Sequence, residues 1–259
     1  MTAGRTAAPA LPLDLDPPCD PRGWTLNLYE KAGEAGGAWS SGVATLRGNR
    51  TGPAEDPMRS AFEAGRRARG KIRRYCTTHR LNRLGTLTYR GEGNHDPYLL
   101  REHLGLFFRA LRAGLGGDPF PYVWVPECHK SGHGLHAHFA VGRYIKRSVI
   151  EAAWGHGFVH IKLLGDLPVG SGPLDEARRA AGYLSKYIGK GFGDVSTPGL
   201  HRYEVAQGFE PQMVKLTGRR LGDVLAQAAE VMGSDPRYLW QSQVAEGWRG
   251  PPAVWASWD

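Results

Sequence analysis

Two short stretches of the chain carry side chains suited to catalysis. Residues 134–139 read GLHAHF, which places His136 and His138 two positions apart in an apolar segment. In a β-strand such residues project from the same face, so both imidazoles can be presented to one ion. Glu127, nine residues before His136 at the end of YVWVPE, reaches them if the two segments form a hairpin. Two imidazoles with a carboxylate suit Mn²⁺ or Mg²⁺, and these three residues are the candidate metal ligands.

The same pattern has a purely structural interpretation. One histidine of an isolated H-x-H pair can pack inside the protein while the other lies at the surface. Two more histidines, His129 and His133, fall in the intervening turn. We expect them to be solvent-exposed, and either can serve as a spare ligand.

The second stretch is YLSKYIGK, residues 183–190. At about 100° per helical residue, Tyr183, Lys186, Tyr187 and Lys190 fall on one face of a helix. This pattern is also typical of a surface helix in which tyrosine rings pack and lysines extend into water. A phenol with a pKa near ~10 is a weak nucleophile at neutral pH. Attack on a phosphodiester would need a metal to polarise the phosphate and lysine charge to favour the phenolate.

The surrounding sequence indicates the elements that position these residues. Hydrophobic periodicity and turn residues predict strands, helices and a hairpin in alternation. The order favours an α+β fold, with a central antiparallel sheet flanked by helices. The predicted helices cover residues 58–76, 96–115, 146–154, 174–190 and 218–232, and the predicted strands cover 84–89, 122–127, 135–141, 158–164 and 201–206.

Three motifs in order resemble those of the HUH endonucleases. They are LGTLTY at 84–89, Glu127 with GLHAHF, and YLSKYIGK. The resemblance covers roughly residues 80–200 and is closest to the rolling-circle replication initiators of small plasmids and single-stranded-DNA phages. It implies an RRM-like palm, a divalent metal ion held by Glu127, His136 and His138, and a tyrosine that becomes joined to a 5′-phosphate, leaving a free 3′-OH.

The paired tyrosines resemble the phage-type branch, in which the two alternate in cleaving and rejoining. In one-tyrosine relatives the recurring partner is a lysine three residues further on. Tyr183 with Lys186 and Tyr187 with Lys190 both satisfy that spacing, so the choice of nucleophile stays open. Two alternatives remain: a transposase or relaxase of the same superfamily, and a DNA-binding protein without catalysis.

The resemblance implies that the partner is single-stranded or locally melted origin DNA. The chain contains no G-x-x-x-x-G-K-[ST] motif, so unwinding and synthesis would fall to a host helicase and polymerase. A formal charge of +8 favours a polyanionic partner. Eight basic residues lie between 61 and 83 against one acid, and we expect this run to lie near the DNA path.

Composition also suggests where the protein works and how it divides. Three widely spaced cysteines make no disulfide framework, and no apolar run approaches a membrane span, so we expect a cytoplasmic protein. We predict a loosely structured N-terminal arm at 1–58 with one possible short strand at 24–28. A nicking domain that begins with the basic helix would follow at 59–210, and a C-terminal helix with a Trp-rich tail at 211–259.

Overall fold

The computed structural model describes residues 22–42, 57–129, 131–162, 171–190, 203–248 and 250–258. In these residues the chain forms two five-stranded antiparallel sheets with five α-helices. The helices are α1 (Pro57–Thr78), α2 (Pro97–Gly114), α3 (Arg147–Trp154), α4 (Pro173–Lys190) and α5 (Leu221–Met232). The strands are β1 (Arg22–Tyr29), β2 (Glu34–Ser41), β3 (Arg83–Tyr89), β4 (Tyr122–Cys128), β5 (Leu135–Val141), β6 (Gly157–Lys162), β7 (Glu204–Val205), β8 (Val214–Gly218), β9 (Tyr238–Gln241) and β10 (Ala253–Ser257).

The central sheet holds the predicted motifs in the strand order β6-β3-β5-β4-β7. Its middle strand is β5, every residue of which is buried. Helices α2 and α3 pack on one face of this sheet, and α1 and α4 pack on the other. The predicted α+β fold with an antiparallel sheet flanked by helices is therefore confirmed. The predicted hairpin is also present, because β4 pairs with β5 along its whole length.

Local chemistry explains how the motif strands and α2 form. In β3, Leu84 belongs to the core under α1 and α4, whereas Leu87 and Tyr89 belong to the core under α2 and α3. Gly85 lies against the Phe139 ring, which a Cβ at that position would overlap. Helix α2 begins after Asp96, whose side chain accepts hydrogen bonds from the first backbone N–H groups, a strong N-terminal cap.

The second sheet joins the two ends of the chain in the order β8-β1-β2-β10-β9. It packs against α5 around Leu26, Leu28 and Val224. This differs from the expected arm, because residues 22–42 form two full strands and not one short one. The expected tail likewise contributes β9 and β10. Segments such as β2, EAGGAWSS, have low β propensity, and partners some 200 residues away supply what the local sequence lacks.

Arginines of α1 connect the two sheets. The buried Glu34 carboxylate of β2 accepts hydrogen bonds from Arg73, with Nε 2.6 Å from Oε2, and from Arg74, with Nη1 3.4 Å from Oε1. The Arg73 guanidinium also lies over Trp255 and that of Arg74 over Tyr29, each 4.8 Å from the ring centroid. Part of the basic run therefore faces the protein interior, and its function there is to hold the sheets together.

Replacing Glu34 by alanine is expected to lower the free energy of unfolding by about 2–3 kcal/mol, because two partly buried guanidiniums lose their shared carboxylate. Urea denaturation followed by circular dichroism measures the change. The matched control is Glu63→Ala, which removes an exposed α1 carboxylate that also pairs with two arginines. That change is expected to cost less than about 0.5 kcal/mol. Equal losses for the two variants would contradict a bridging role for Glu34.

Two broader expectations can be compared with the structure. Cys76 and Cys128, the cysteines within the described residues, are both free thiols. In the part of the chain that the structure describes, no helix combines the length and apolar character needed to cross a membrane.

Candidate active site

Three adjacent strands bring the candidate ligands into one layer on the face of the sheet that α4 covers. Glu127 of β4 lies directly opposite His136 of β5. His138 lies opposite Thr86 of β3. Residues paired across antiparallel strands project from the same face, which makes these side chains neighbours. The predicted set of Glu127, His136 and His138 thus comes together at the centre of the sheet.

Hydrogen bonds orient the His138 ring at both of its nitrogens. Nε2 lies 2.7 Å from Glu127 Oε2, and Nδ1 lies 2.9 Å from Thr86 Oγ1. An ionised carboxylate only accepts, so Nε2 carries the proton in this contact. In a neutral ring Nδ1 then accepts a hydrogen bond from the Thr86 hydroxyl.

His136 is oriented differently and has one nitrogen to spare. Its Nδ1 lies 3.3 Å from Thr88 Oγ1. Its Nε2 is buried and has no hydrogen-bond partner among the described residues. Burial, followed by the nearby His129, lowers the pKa of His136 to about 4. The ring is therefore neutral at physiological pH, the state that a metal ligand requires.

Helix α4 places both tyrosines over this layer. The Tyr187 ring stacks on His138 with centroids 3.7 Å apart and planes at 17°. The Tyr183 ring meets His138 edge-on at 6.0 Å. The Tyr187 hydroxyl donates a hydrogen bond to the Tyr183 oxygen at 2.7 Å. Burial and this donated hydrogen bond raise the pKa of Tyr187 above its ordinary value.

The lysines fall into different environments. Lys186 is exposed on α4, and the side chain of Lys190 lies outside the described residues. A third lysine was not singled out from the sequence: Lys162 of β6, whose Nζ lies 5.0 Å from the centroid of the Tyr183 ring. Its position depends on the register of β6 against β3, which no local pattern encodes.

Thr86 and Thr88 were also missed by sequence reasoning. Both contact the Nδ1 atoms of the two histidines and set the ring orientations. The available signal was their i, i+2 spacing within LGTLTY, which matches the spacing of His136 and His138. The first motif thus supplies hydroxyl partners to the second.

The other two histidines lie at the margin of this layer. His129 is exposed, as predicted, and its ring stacks on His136 with centroids 4.5 Å apart. His133 is partly buried, and its Nε2 lies 3.0 Å from the Tyr89 carbonyl oxygen, to which it donates. Of the two, His129 is therefore the better placed to act as a spare ligand.

The donor set can be compared with the needs of a divalent cation. Among the described residues, no three His, Cys, Asp or Glu side chains form a ready-made metal site. Glu127 instead bonds directly to His138 Nε2, the atom that would ligate an ion. The unpartnered His136 Nε2 and the adjacent carboxylate nevertheless fit such an ion in chemistry. Binding would require Glu127 to release His138 and His138 Nε2 to lose its proton.

The basic helix α1 divides into two sides. Arg66 lies over Trp248 with 4.9 Å between its guanidinium carbon and the ring centroid, next to the arginines that hold Glu34. On the outer side, the exposed Arg67 and Lys71 line a groove together with Arg101. Only this outer side is available to a polyanion.

Comparison with known proteins gives one match. Residues 82–192 match the family model of the replication-associated proteins of the ORF2 and gene II protein type. No curated protein and no solved structure matches the chain. The matched segment runs from the start of β3 to just beyond α4, so it contains the candidate ligands and both tyrosines. The match supports a replication-associated protein that acts in the initiation of replication.

Proposed function

We propose that this protein initiates rolling-circle replication by nicking one strand of origin DNA with a tyrosine and later rejoining it. The observation that carries the proposal is the stacking of Tyr187 on His138, with Tyr183 beside it. Candidate nucleophiles and candidate metal ligands thereby share one site. The family match supports the replication setting. A host helicase and polymerase would act with the protein.

In the proposed reaction a tyrosine oxygen attacks the phosphorus of one phosphodiester. The Tyr–O–P bond forms as the bond from phosphorus to the 3′ oxygen breaks. The phenol gives up its proton and the 3′ oxygen gains one, leaving a 3′-OH primer and a 5′-phosphotyrosine. Attack of a 3′-OH on that phosphotyrosine restores the DNA strand. Mg²⁺ or Mn²⁺ held by Glu127, His136 and His138 would supply polarisation of the phosphate and neutralise its developing charge.

The two tyrosines are arranged unequally for the first cleavage. Tyr187 is held against His138 and donates its proton towards Tyr183. Tyr183 accepts that hydrogen bond, and Lys162 lies over its ring. We infer that Tyr183 is the first nucleophile and that Tyr187 stabilises its phenolate. Tyr187 would then act in the second cleavage, with Lys186 and Lys190 contributing positive charge at the phosphate.

The test is formation of a covalent adduct. The protein is incubated with Mn²⁺ and labelled single-stranded oligonucleotides that together span the origin of its replicon. We expect one oligonucleotide to give a protein–DNA adduct that survives denaturation and carries DNA on Tyr183 or Tyr187. Adducts on neither residue would overturn the assignment as a nicking enzyme.

A second candidate function is DNA binding without cleavage. The direct hydrogen bond between Glu127 and His138 favours it, since a histidine paired with a carboxylate can be purely structural. This candidate predicts oligonucleotide binding with no adduct on any sequence. A transposase or relaxase would form the adduct, but on transposon ends or transfer origins in place of a replication origin.

Neutralising the outer side of α1 is expected to reduce the salt dependence of DNA binding. The double change Arg67→Gln and Lys71→Gln should lower the slope of log K against log salt by about 1.4, or about 0.7 per phosphate contact on single strands. The control is Arg147→Gln on α3, whose side chain is 66% exposed against 65% for Arg67. An unchanged slope in the double variant would show that the α1 groove lies away from the DNA.

A further inference from the structure

The edge strand β6 extends the layer of the candidate site outward. Every second residue of β6 faces the same way as that site, because these residues pair with the site-facing residues of β3: Phe158, His160 and Lys162. Phe158 pairs with Thr88, the threonine whose hydroxyl contacts His136. Two strand spacings, about 9.6 Å, therefore separate the backbones of Phe158 and His136.

Phe158 is unusually open for an aromatic side chain in a sheet. It is 68% exposed, although it stands in the same row as the buried His136. Single exposed apolar residues are common on protein surfaces. Here, however, the exposed ring belongs to a strip with two exposed polar neighbours, His160 and Lys162. The strip presents an aromatic face at one end and a cation at the other.

The charge around this strip suits a nucleic acid strand. Lys162 lies next to Tyr183 and also lines a cavity with Arg83 and Arg143. Single-stranded nucleic acids bind where basic groups follow the phosphates and aromatic rings stack on bases. A duplex keeps its base faces stacked inside, so a lone exposed ring recognises an unpaired base. The charge and the continuity with the tyrosine site both favour a single strand as the occupant.

We propose that β6 is a stacking platform for the single-stranded DNA beside the scissile phosphate. Phe158 stacks on an unpaired base, and Lys162 contacts a backbone phosphate near Tyr183. This inference rests on the proposed function, because it states how the same site holds its substrate. Phe158 is a positioning residue, since it sets the path of the strand and takes no part in bond breaking.

Binding is measured in the Tyr183→Phe, Tyr187→Phe background so that the strand stays uncut. The probe is a fluorescein-labelled, mixed-sequence single-stranded oligonucleotide followed by fluorescence anisotropy. Phe158→Ala is expected to raise Kd about 5- to 150-fold, the range for loss of one base–aromatic stack. Phe158→Tyr should restore affinity. The matched control is Tyr98→Ala on α2, which is 65% exposed and lies on the helix layer of the other sheet face.

Two further measurements separate stacking from a general loss of structure. An oligonucleotide carrying 2-aminopurine at successive positions should show quenched fluorescence at the base that stacks, and Phe158→Ala should relieve that quenching. Lys162→Gln should leave the quenching in place but reduce the salt slope by about 0.7. Affinity for duplex DNA of the same sequence should change little in Phe158→Ala.

The outcomes distinguish this inference from the proposed function. Unchanged single-strand affinity in Phe158→Ala, or an equal loss on duplex, overturns the platform even if the wild-type protein forms adducts. Loss of single-strand affinity in Phe158→Ala, with no wild-type adduct on any oligonucleotide, supports the platform and overturns nicking. Absence of single-strand binding by the parent protein overturns both.

Discussion

Changing both Tyr183 and Tyr187 to phenylalanine is expected to abolish the covalent protein–DNA adduct. The reason is that both candidate nucleophilic oxygens are removed, whereas the rings remain packed over His138 and the core beneath α4. Loss of a covalent nucleophile lowers the rate on the order of 10⁴-fold or more. Denaturing gels with labelled origin oligonucleotides measure the adduct. Affinity for uncut DNA, measured in parallel, should be nearly unchanged.

The single variants separate the roles of the two tyrosines. Each is expected to permit one cleavage but to fail at turnover, because the phage-like mechanism needs the second phenol while the first remains joined to DNA. The hydrogen bond from Tyr187 to Tyr183 predicts a further asymmetry, with Tyr183→Phe slowing the first cleavage more than Tyr187→Phe. Mass spectrometry identifies the residue that carries the DNA. A dead variant at one position and normal turnover at the other would show that a single tyrosine does all the chemistry.

Replacing His136 and His138 together by alanine is expected to abolish cleavage while retaining most DNA affinity. Phosphate contacts carry most of the binding energy, and the two histidines lie beneath α4, away from the basic groove of α1. Titration calorimetry with Mn²⁺ provides a readout independent of activity. The parent protein should bind the ion, and the double variant should not.

Controls for the metal prediction address folding and specificity. Because both histidines are buried in β5, the variant must retain the far-ultraviolet circular dichroism of the parent protein. His95→Ala, at an exposed histidine before α2, should cleave normally. His129→Ala tests the spare-ligand alternative, since that ring stacks on His136. Wild-type cleavage that persists in EDTA would rule out a metal role.

The sequence by itself determined the elements of the central sheet and the content of the site. The spacing of His136 and His138 specifies one face of a strand, and the spacing of Tyr183 and Tyr187 specifies one face of a helix. These patterns repeat every two residues in a strand and every three to four in a helix, so they are legible without tertiary information. The structure confirms both elements and brings the two pairs together.

Only the tertiary structure decided which distant segments meet. Strands β1 and β2 pair with β8 and β10, and their short, glycine- and alanine-containing sequences carry no sign of those partners. The inward direction of Arg73 and Arg74 depends on the buried Glu34, which belongs to that second sheet. The register of β6 placed Lys162 beside Tyr183 and Phe158 in the row of His136. Each of these contacts depends on the pairing of strands or helices far apart in the chain, and local periodicity carries no information about such pairing.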